Sequence, residues 1–191
     1  MEYDDEFQIC GDGCGLYSRN GLKNPAWYAY AFLSRLLPQV LFQGPGCFAT
    51  GDGSGNYAIL LYNCKNYSEY FFRNYLTEKG LAFGNRRLYQ NTAAIQQTLS
   101  LEGVQPGDYT VRQYLIGNHH GCIAGVLHQM GAVSHPSQED IAYLAGQSLP
   151  FQHVYPIKAL DKLPLTVSLQ PNEVMLLLIS AQDSEQNAPS T

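Results

Sequence analysis

The stretch LPLTVSLQPNEVMLLLI, residues 163–179, decides the fold class. Over 163–169, leucine and valine alternate with proline or polar residues, which is the period of a strand that buries one face. Pro171 and Asn172, which come shortly after this segment, favour a turn. The run after the turn, Val174–Ile179, is apolar at every position, which is typical of a strand covered on both faces. Together these patterns predict strands in a layered β structure.

The rest of the sequence repeats the same two patterns. Further strands are predicted at 40–42, 47–50, 57–62, 93–101 and 109–116. Glycine or proline turns lie between several of them, as in domains built from antiparallel strands. Because 57–62 is also apolar throughout, we expect it and Val174–Ile179 to be interior strands. The predicted fold is mainly β, an antiparallel β-sandwich with a few short helices, two of them at about 121–130 and 137–146.

One helix precedes the strands. Asn24 and Pro25 are favoured as N-cap and first helical residue, and apolar residues then recur at helical spacing until Pro38 ends the pattern. The predicted helix, residues 25–37, carries so many large apolar side chains that it must pack against something large. Its glycine-rich lead-in and its place before an all-β region indicate the end of one domain joined to another.

Composition limits the classes of function. The formal net charge of −5 and the pI near 5.4 argue against nucleic-acid binding by this segment. No apolar run approaches the ~20 residues of a membrane helix, and the acidic N-terminus is unlike a signal peptide. We therefore expect a soluble chain with no membrane partner. Five scattered cysteines fit a reducing compartment better than a disulfide framework, which predicts a cytoplasmic location.

Cysteine and histidine residues are the first candidates for a metal or nucleophile site. Cys10 and Cys14 have C-x3-C spacing, but no second pair completes a zinc site, so no metal is predicted. His119 and His120 precede Cys122, and on a strand His120 and Cys122 would share one face. A Cys–His nucleophile also needs a third orienting group, which nothing else in the sequence supplies. A loop-lining or helix-capping role is favoured, and no cofactor is predicted.

Carboxylates and glycines give no catalytic motif either. Glycosidic catalysis needs two carboxylates a few ångströms apart on rigid elements. The acidic residues lie mostly in turns, helix starts and termini, as Asp52, Asp108 and Asp140 do, so no catalytic residue is predicted in this chain. The glycine string at 51–55 precedes a strand, whereas a phosphate loop follows one, so it predicts a hairpin turn.

Several motifs together resemble glycoside hydrolase family 39, which includes β-xylosidases. They are GCGLY at 13–17, NGLKNPAWYAY at 20–30, GSGNYAILLYN at 53–63, MGA at 130–132, EDIAYL at 139–144 and LQPNEV at 169–174. Their order and spacing, rather than any one motif, carry the resemblance. Two departures are Asn24, where the family usually has lysine, and Leu127 or His128, near its tryptophan. The tyrosine-rich segment 62–72 resembles, more narrowly, a subgroup in which the hydrolase-like region follows an AraC-type DNA-binding regulator.

The resemblance implies a (β/α)8 barrel whose two catalytic glutamates, both before residue 1, carry out retaining hydrolysis. Residues 1–38 are then the terminal loop and last helix of that barrel, 39–181 are a β-sandwich accessory domain, and 182–191 are a disordered tail. The resemblance also implies that Glu2 or Asp5 contacts the sugar. The helix residues predicted to pack on the barrel are Trp27, Tyr30, Phe32 and Leu33.

Two functional hypotheses follow. In the first, the chain is the non-catalytic accessory sandwich of a family 39 glycosidase-like protein and braces the barrel, which would hydrolyse β-xylosides or related glycosides. The chain alone is then not an enzyme, its partner is the barrel of the parent chain, and in isolation it forms a homodimer through helix 25–37. The alternative is a carbohydrate-binding or effector-sensing module of an AraC-type regulator, with aromatic side chains stacked on a xylose-type saccharide. A brace buries its aromatic side chains, whereas a binding module exposes them in a row.

Overall fold

The computed structural model describes residues 15–18, 20–74, 88–131, 133 and 136–182. The helices in these ranges are α1 (Pro25–Leu33), α2 (Glu69–Asn74), α3 (Ile123–Gln129) and α4 (Gln138–Gln147). The strands are β1 (Gln39–Gly44), β2 (Cys47–Gly51), β3 (Tyr57–Tyr62), β4 (Ile95–Glu102), β5 (Gly107–Ile116), β6 (Phe151–Ala159), β7 (Lys162–Leu169) and β8 (Val174–Ala181). The predicted mainly β class is confirmed. Among the described helices, none has the length and apolar character needed to span a membrane.

The strands form two antiparallel sheets. The large sheet has six strands in the order β1-β2-β3-β8-β5-β6, and β4 and β7 form a second sheet of two strands. Strand β3 pairs along its whole length with β8 at the centre of the large sheet, so that Ile59 lies opposite Leu177. This confirms that the two runs that are apolar throughout are interior strands.

The main core lies between the two sheets. Every second residue of β7, from Leu163 to Leu169, is buried, and the residues between them are exposed. These side chains pack on the inner face of the large sheet, where Leu61, Leu177 and Ile179 are buried in the same cluster. The alternation in the sequence therefore marks the covering sheet, and the unbroken apolar runs mark the sheet that is covered on both faces.

Helix α1 packs on the other, outer face of the large sheet. Tyr28 and Phe32 are buried there in a second cluster with Leu60, Ile116 and Leu176. The neighbouring residues Leu176 and Leu177 thus enter opposite cores, because side chains alternate across a strand. Whatever precedes it in the chain, α1 is part of the sandwich's own packing.

The predicted helix 25–37 is too long. Helix α1 ends at Leu33, where the Ser34 hydroxyl donates to the Ala31 carbonyl. The backbone N–H of Leu37 then donates to the Thr50 hydroxyl of β2 at 2.9 Å, which turns the chain toward β1. The helix therefore ends before the proline at 38, and the hydrogen bond to Thr50 fixes the connection that follows it.

Other predicted elements shift or were missed. Helices α3 and α4 lie where short helices were predicted, and α4 begins with a capping box between Ser137 and Asp140. Strand β6 was not predicted. It is an edge strand with poor alternation, and it contains Pro156, which the edge of a sheet tolerates. Helix α2 was not predicted either, and the tail beyond Gln182 lies outside the described residues.

Candidate docking surface

Helix α1 has one buried side and one exposed side. Phe32 is 3% exposed and contacts the outer face of the large sheet, whereas Tyr30 is 65% and Leu33 is 48% exposed. Trp27 is half-buried between the two sides. Of the four residues predicted to pack on a barrel, Tyr30 and Leu33 therefore present most surface to a partner. Phe32 has almost none left, because the sandwich itself covers it.

The segment before α1 extends this exposed side. Tyr17 is exposed and its ring meets the Trp27 ring edge-on, with centroids 6.5 Å apart. The Lys23 ammonium lies 3.7 Å from the centroid of the Trp27 ring, in cation–π geometry. Leu16 is exposed beside Tyr17 in the chain. We call the exposed side chains Leu16, Tyr17, Tyr30 and Leu33 the helix face.

Local hydrogen bonds hold the segment before α1 in a tight loop. The N–H of Ser18 donates to the Leu22 carbonyl at 2.8 Å, and the N–H of Asn24 donates to the Leu16 carbonyl at 3.0 Å. Gly21 has a φ of 74°, which the turn requires and which favours glycine. The Asn24 side chain does not cap the helix; its amide donates to the Gly15 carbonyl at 2.9 Å. Asn24 thus orders the loop that places Tyr17 beside Trp27.

An apolar groove continues from the helix face. It has a volume of about 850 Å³ and lies between the end of α1 and the β1–β2 hairpin. Its apolar lining includes Leu33, Leu36, Phe48, Leu60 and Tyr62. Because Leu33 belongs both to this outer groove and to the helix face, the two form one apolar surface on the outer side of the large sheet. Beside it, Arg35 donates to the Tyr114 hydroxyl at 3.2 Å and lies over the Tyr114 ring.

The carboxylates of Asp52 and Asp140 accept hydrogen bonds that stabilise the local backbone. Asp52 accepts from the N–H groups of Ser54 and Asn56 and from the Asn56 amide, at 2.7, 3.1 and 2.6 Å. These hydrogen bonds, the one from Asn56 first, hold the pKa of Asp52 below its usual value. The glycine string around Asp52 connects β2 to β3, which confirms the predicted hairpin turn. Asp140 has its pKa lowered in the same way by Ser137, whose backbone and hydroxyl both donate to it.

The histidine–cysteine segment forms a turn instead of a strand. The N–H of Gly117 donates to the His120 carbonyl, and Gly121 has a φ of 66°. The idea that His120 and Cys122 share a strand face is therefore wrong. Cys122 occupies the N-cap position of α3, and burial raises the pKa of its thiol. Burial thus disfavours the thiolate, which is the reactive form.

Some predicted sites lie beyond what the structure describes. Glu2 and Asp5, predicted to contact a sugar, and Cys10 and Cys14, considered for zinc, all fall outside the described residues. In the described ranges, no group of three or more histidine, cysteine or acidic side chains is close enough to hold a metal ion.

Comparison with known proteins finds likeness in structure but not in sequence. No protein-family model matches the chain, and no curated protein matches it by sequence. A monomeric β-xylosidase from Caulobacter crescentus is similar in structure, with a TM-score of 0.66 and 19% identity, over 88% of this chain and 33% of that one. A glycoside hydrolase family 39 enzyme from Xanthomonas axonopodis pv. citri has a TM-score of 0.63 and 19% identity, over 88% and 32%. A glucosidase from Croceicoccus marinus has a TM-score of 0.56 and 13% identity, over 91% and 34%.

These likenesses define a class of fold. The chain folds like a β-rich part of glycoside hydrolases, among them family 39 β-xylosidases. It spans about a third of the length of those structures, so most of each enzyme has no counterpart in the 191 residues.

Proposed function

We propose that the chain is the non-catalytic accessory β-sandwich of a family 39 glycosidase-like protein, and that it braces the barrel of the parent chain. The observation that carries the proposal is the two-sided helix α1. One side is buried on the large sheet by Tyr28 and Phe32, and the other leaves Tyr30 and Leu33 exposed beside an apolar groove. A surface of this kind usually marks an interface.

The partial coverage of the structural neighbours supports the same proposal. A sandwich that matches about a third of a β-xylosidase has the size expected of an accessory part, and the remaining two thirds of that enzyme is large enough for a (β/α)8 barrel. The parent would hydrolyse β-xylosides or related glycosides, using two carboxylates of the barrel. Free cysteines at 47, 64 and 122 agree with the cytoplasmic location that forms part of the proposal. Membership of the AraC-fused subgroup stays a prediction that rests on segment 62–72 alone.

The proposal makes a prediction about activity. The 191-residue chain is expected to show no turnover of aryl β-xylosides, because a retaining site needs an acid and a nucleophile about 5 Å apart on a rigid frame. A polypeptide extended by the residues encoded upstream of Met1 is expected to show turnover. The measurement is release of the aryl group by both polypeptides at equal concentration.

The control is replacement, in the extended polypeptide, of each candidate glutamate by glutamine, which should abolish turnover. Turnover by the 191-residue chain that disappears with Glu173→Gln or Asp140→Asn would contradict the proposal, since it would place the catalytic carboxylates in the sandwich.

A further inference from the structure

Three rings of β6 follow one another on the inner face of the large sheet, and the His120 ring, from the turn after β5, lies next to the first of them. The centroid of the His120 ring is 5.4 Å from that of Phe151, Phe151 is 6.5 Å from His153, and His153 is 5.1 Å from Tyr155. Three of these rings alternate along β6 and pair with inner-face residues of β5. Farther along the same strand, Ala159 is buried in the main core and Tyr155 is half-buried against it, whereas Phe151 is 42% exposed and His153 is exposed. His120 is half-buried. We call these four side chains the ring row.

The ring row is held by rigid structure. Its three β6 members lie on a strand that is paired with β5 over nine positions. The His120 carbonyl accepts from the N–H of Gly117 at 2.8 Å, and the N–H of Gly121 donates to the Leu149 carbonyl at 2.9 Å. A β-carbon at Gly121 would lie 2.6 Å from an Ile116 methyl group, so the turn is closely packed against the sheet. The backbone that carries the rings is therefore fixed before any ligand arrives.

The neighbouring strand β5 offers the ring row one polar side chain, that of Gln113. Gln113 pairs with His153 across β5 and β6, so the two side chains are on the same face of the sheet. In the described part of the chain, the side chains of Gln113, His120 and His153 make no hydrogen bond to other protein groups. The β5 residues that pair with the β6 rings are Leu115, Gln113 and Val111, and none carries a charge. The exposed rings of Phe151 and His153, whose planes are tilted by 40°, thus lie beside unused donors and acceptors.

We infer that the ring row is a binding site for a neutral, extended oligosaccharide of β-linked pyranose units. A pyranose presents a flat C–H face that stacks on an aromatic ring, and hydroxyl groups at its edge that bond to imidazole and amide groups. Single-stranded nucleic acid is disfavoured, because such sites combine their aromatic rings with a positively charged groove. A proline-rich peptide is also disfavoured, since it docks in an aromatic-lined groove rather than on an open row.

The inference goes beyond the bracing role and does not depend on it. The helix face lies on the outer side of the large sheet, whereas the ring row lies on the inner side. A saccharide bound at the ring row therefore leaves the helix face free for a barrel.

The test measures binding of xylohexaose and cellohexaose to the purified 191-residue chain by calorimetry. The Phe151→Ala/His153→Ala variant is expected to bind about tenfold more weakly, because two stacking rings are lost. The matched control is Val154→Ala on the opposite face of β6, where the side chain is 43% exposed. This variant should bind the saccharides as tightly as the unsubstituted chain does. His153→Ala alone is expected to weaken binding by a smaller factor, and circular dichroism checks that each variant is folded.

Three results would overturn the inference. The first is that the unsubstituted 191-residue chain binds neither hexasaccharide at millimolar concentration. The second is that Val154→Ala weakens saccharide binding as much as Phe151→Ala/His153→Ala does. The third is that the chain binds a decaproline peptide in place of the saccharides. The binding assay uses only the isolated 191-residue chain, whereas the turnover test uses the extended polypeptide. Either test can therefore fail while the other succeeds.

Discussion

Replacing Leu177 with alanine is expected to lower the free energy of unfolding by about 2–5 kcal/mol. Leu177 is fully buried between the two sheets, so the smaller side chain loses apolar burial and leaves a cavity that the surrounding strands cannot fill. Domains of this size have a total stability of only about 5–15 kcal/mol, so the loss should be plain in urea unfolding followed by circular dichroism.

Leu160→Ala is the control for this change. Leu160 is 71% exposed and lies between β6 and β7, so its truncation should change stability by less than about 0.5 kcal/mol. Similar small losses for both variants would contradict a core between the two sheets.

The second large effect is expected for Phe32→Ala, at about 3–5 kcal/mol. Phe32 anchors α1 on the outer face of the large sheet, in the cluster that contains Leu176. The chain's single tryptophan, Trp27, belongs to the same helix, so its fluorescence reports whether α1 stays docked. The matched control is Leu33→Ala, the next residue of the helix, which is exposed and should cost much less. If the two substitutions cost the same, α1 is not part of the sandwich's packing.

The strand patterns in the sequence predict the central part of the fold because they report burial directly. The runs at 57–62 and 174–179 are apolar at every position, and both are interior strands with packing on two faces. The alternation at 163–169 identifies a strand covered on one face only. In these segments the side chains alone determine the strand's environment, so local pattern and final structure agree.

Features set by contacts between distant residues could not be read from the sequence. The connection from α1 to β1 is held by the hydrogen bond from Leu37 to Thr50, thirteen residues away. Helix α1 is apolar around most of its circumference, so its pattern does not say that Phe32 is inside and Leu33 outside. Strand β6 has no clear alternation, because it lies at the edge of the sheet and is mostly exposed. For the same reason the sequence did not indicate the ring row, whose members meet only after β6 has paired with β5.

The helix face is the feature on which the account of function depends. Each large apolar side chain left in water forgoes roughly 1.5–3 kcal/mol relative to burial. Without a barrel to cover it, the isolated chain is expected to cover this surface with a second copy of itself, as a two-fold dimer through α1.

Light scattering on the purified 191-residue chain tests this claim most directly. The unsubstituted 191-residue chain is expected to be a dimer. The Tyr30→Ser/Leu33→Ser variant is expected to be a monomer, because it makes the most exposed part of the helix face polar. The matched control, Tyr143→Ser/Leu160→Ser, changes an exposed tyrosine and an exposed leucine outside α1 and should remain a dimer. Two results would contradict the account. One is an unsubstituted 191-residue chain that is strictly monomeric at high concentration, and the other is a control variant that dissociates as readily as the helix-face variant.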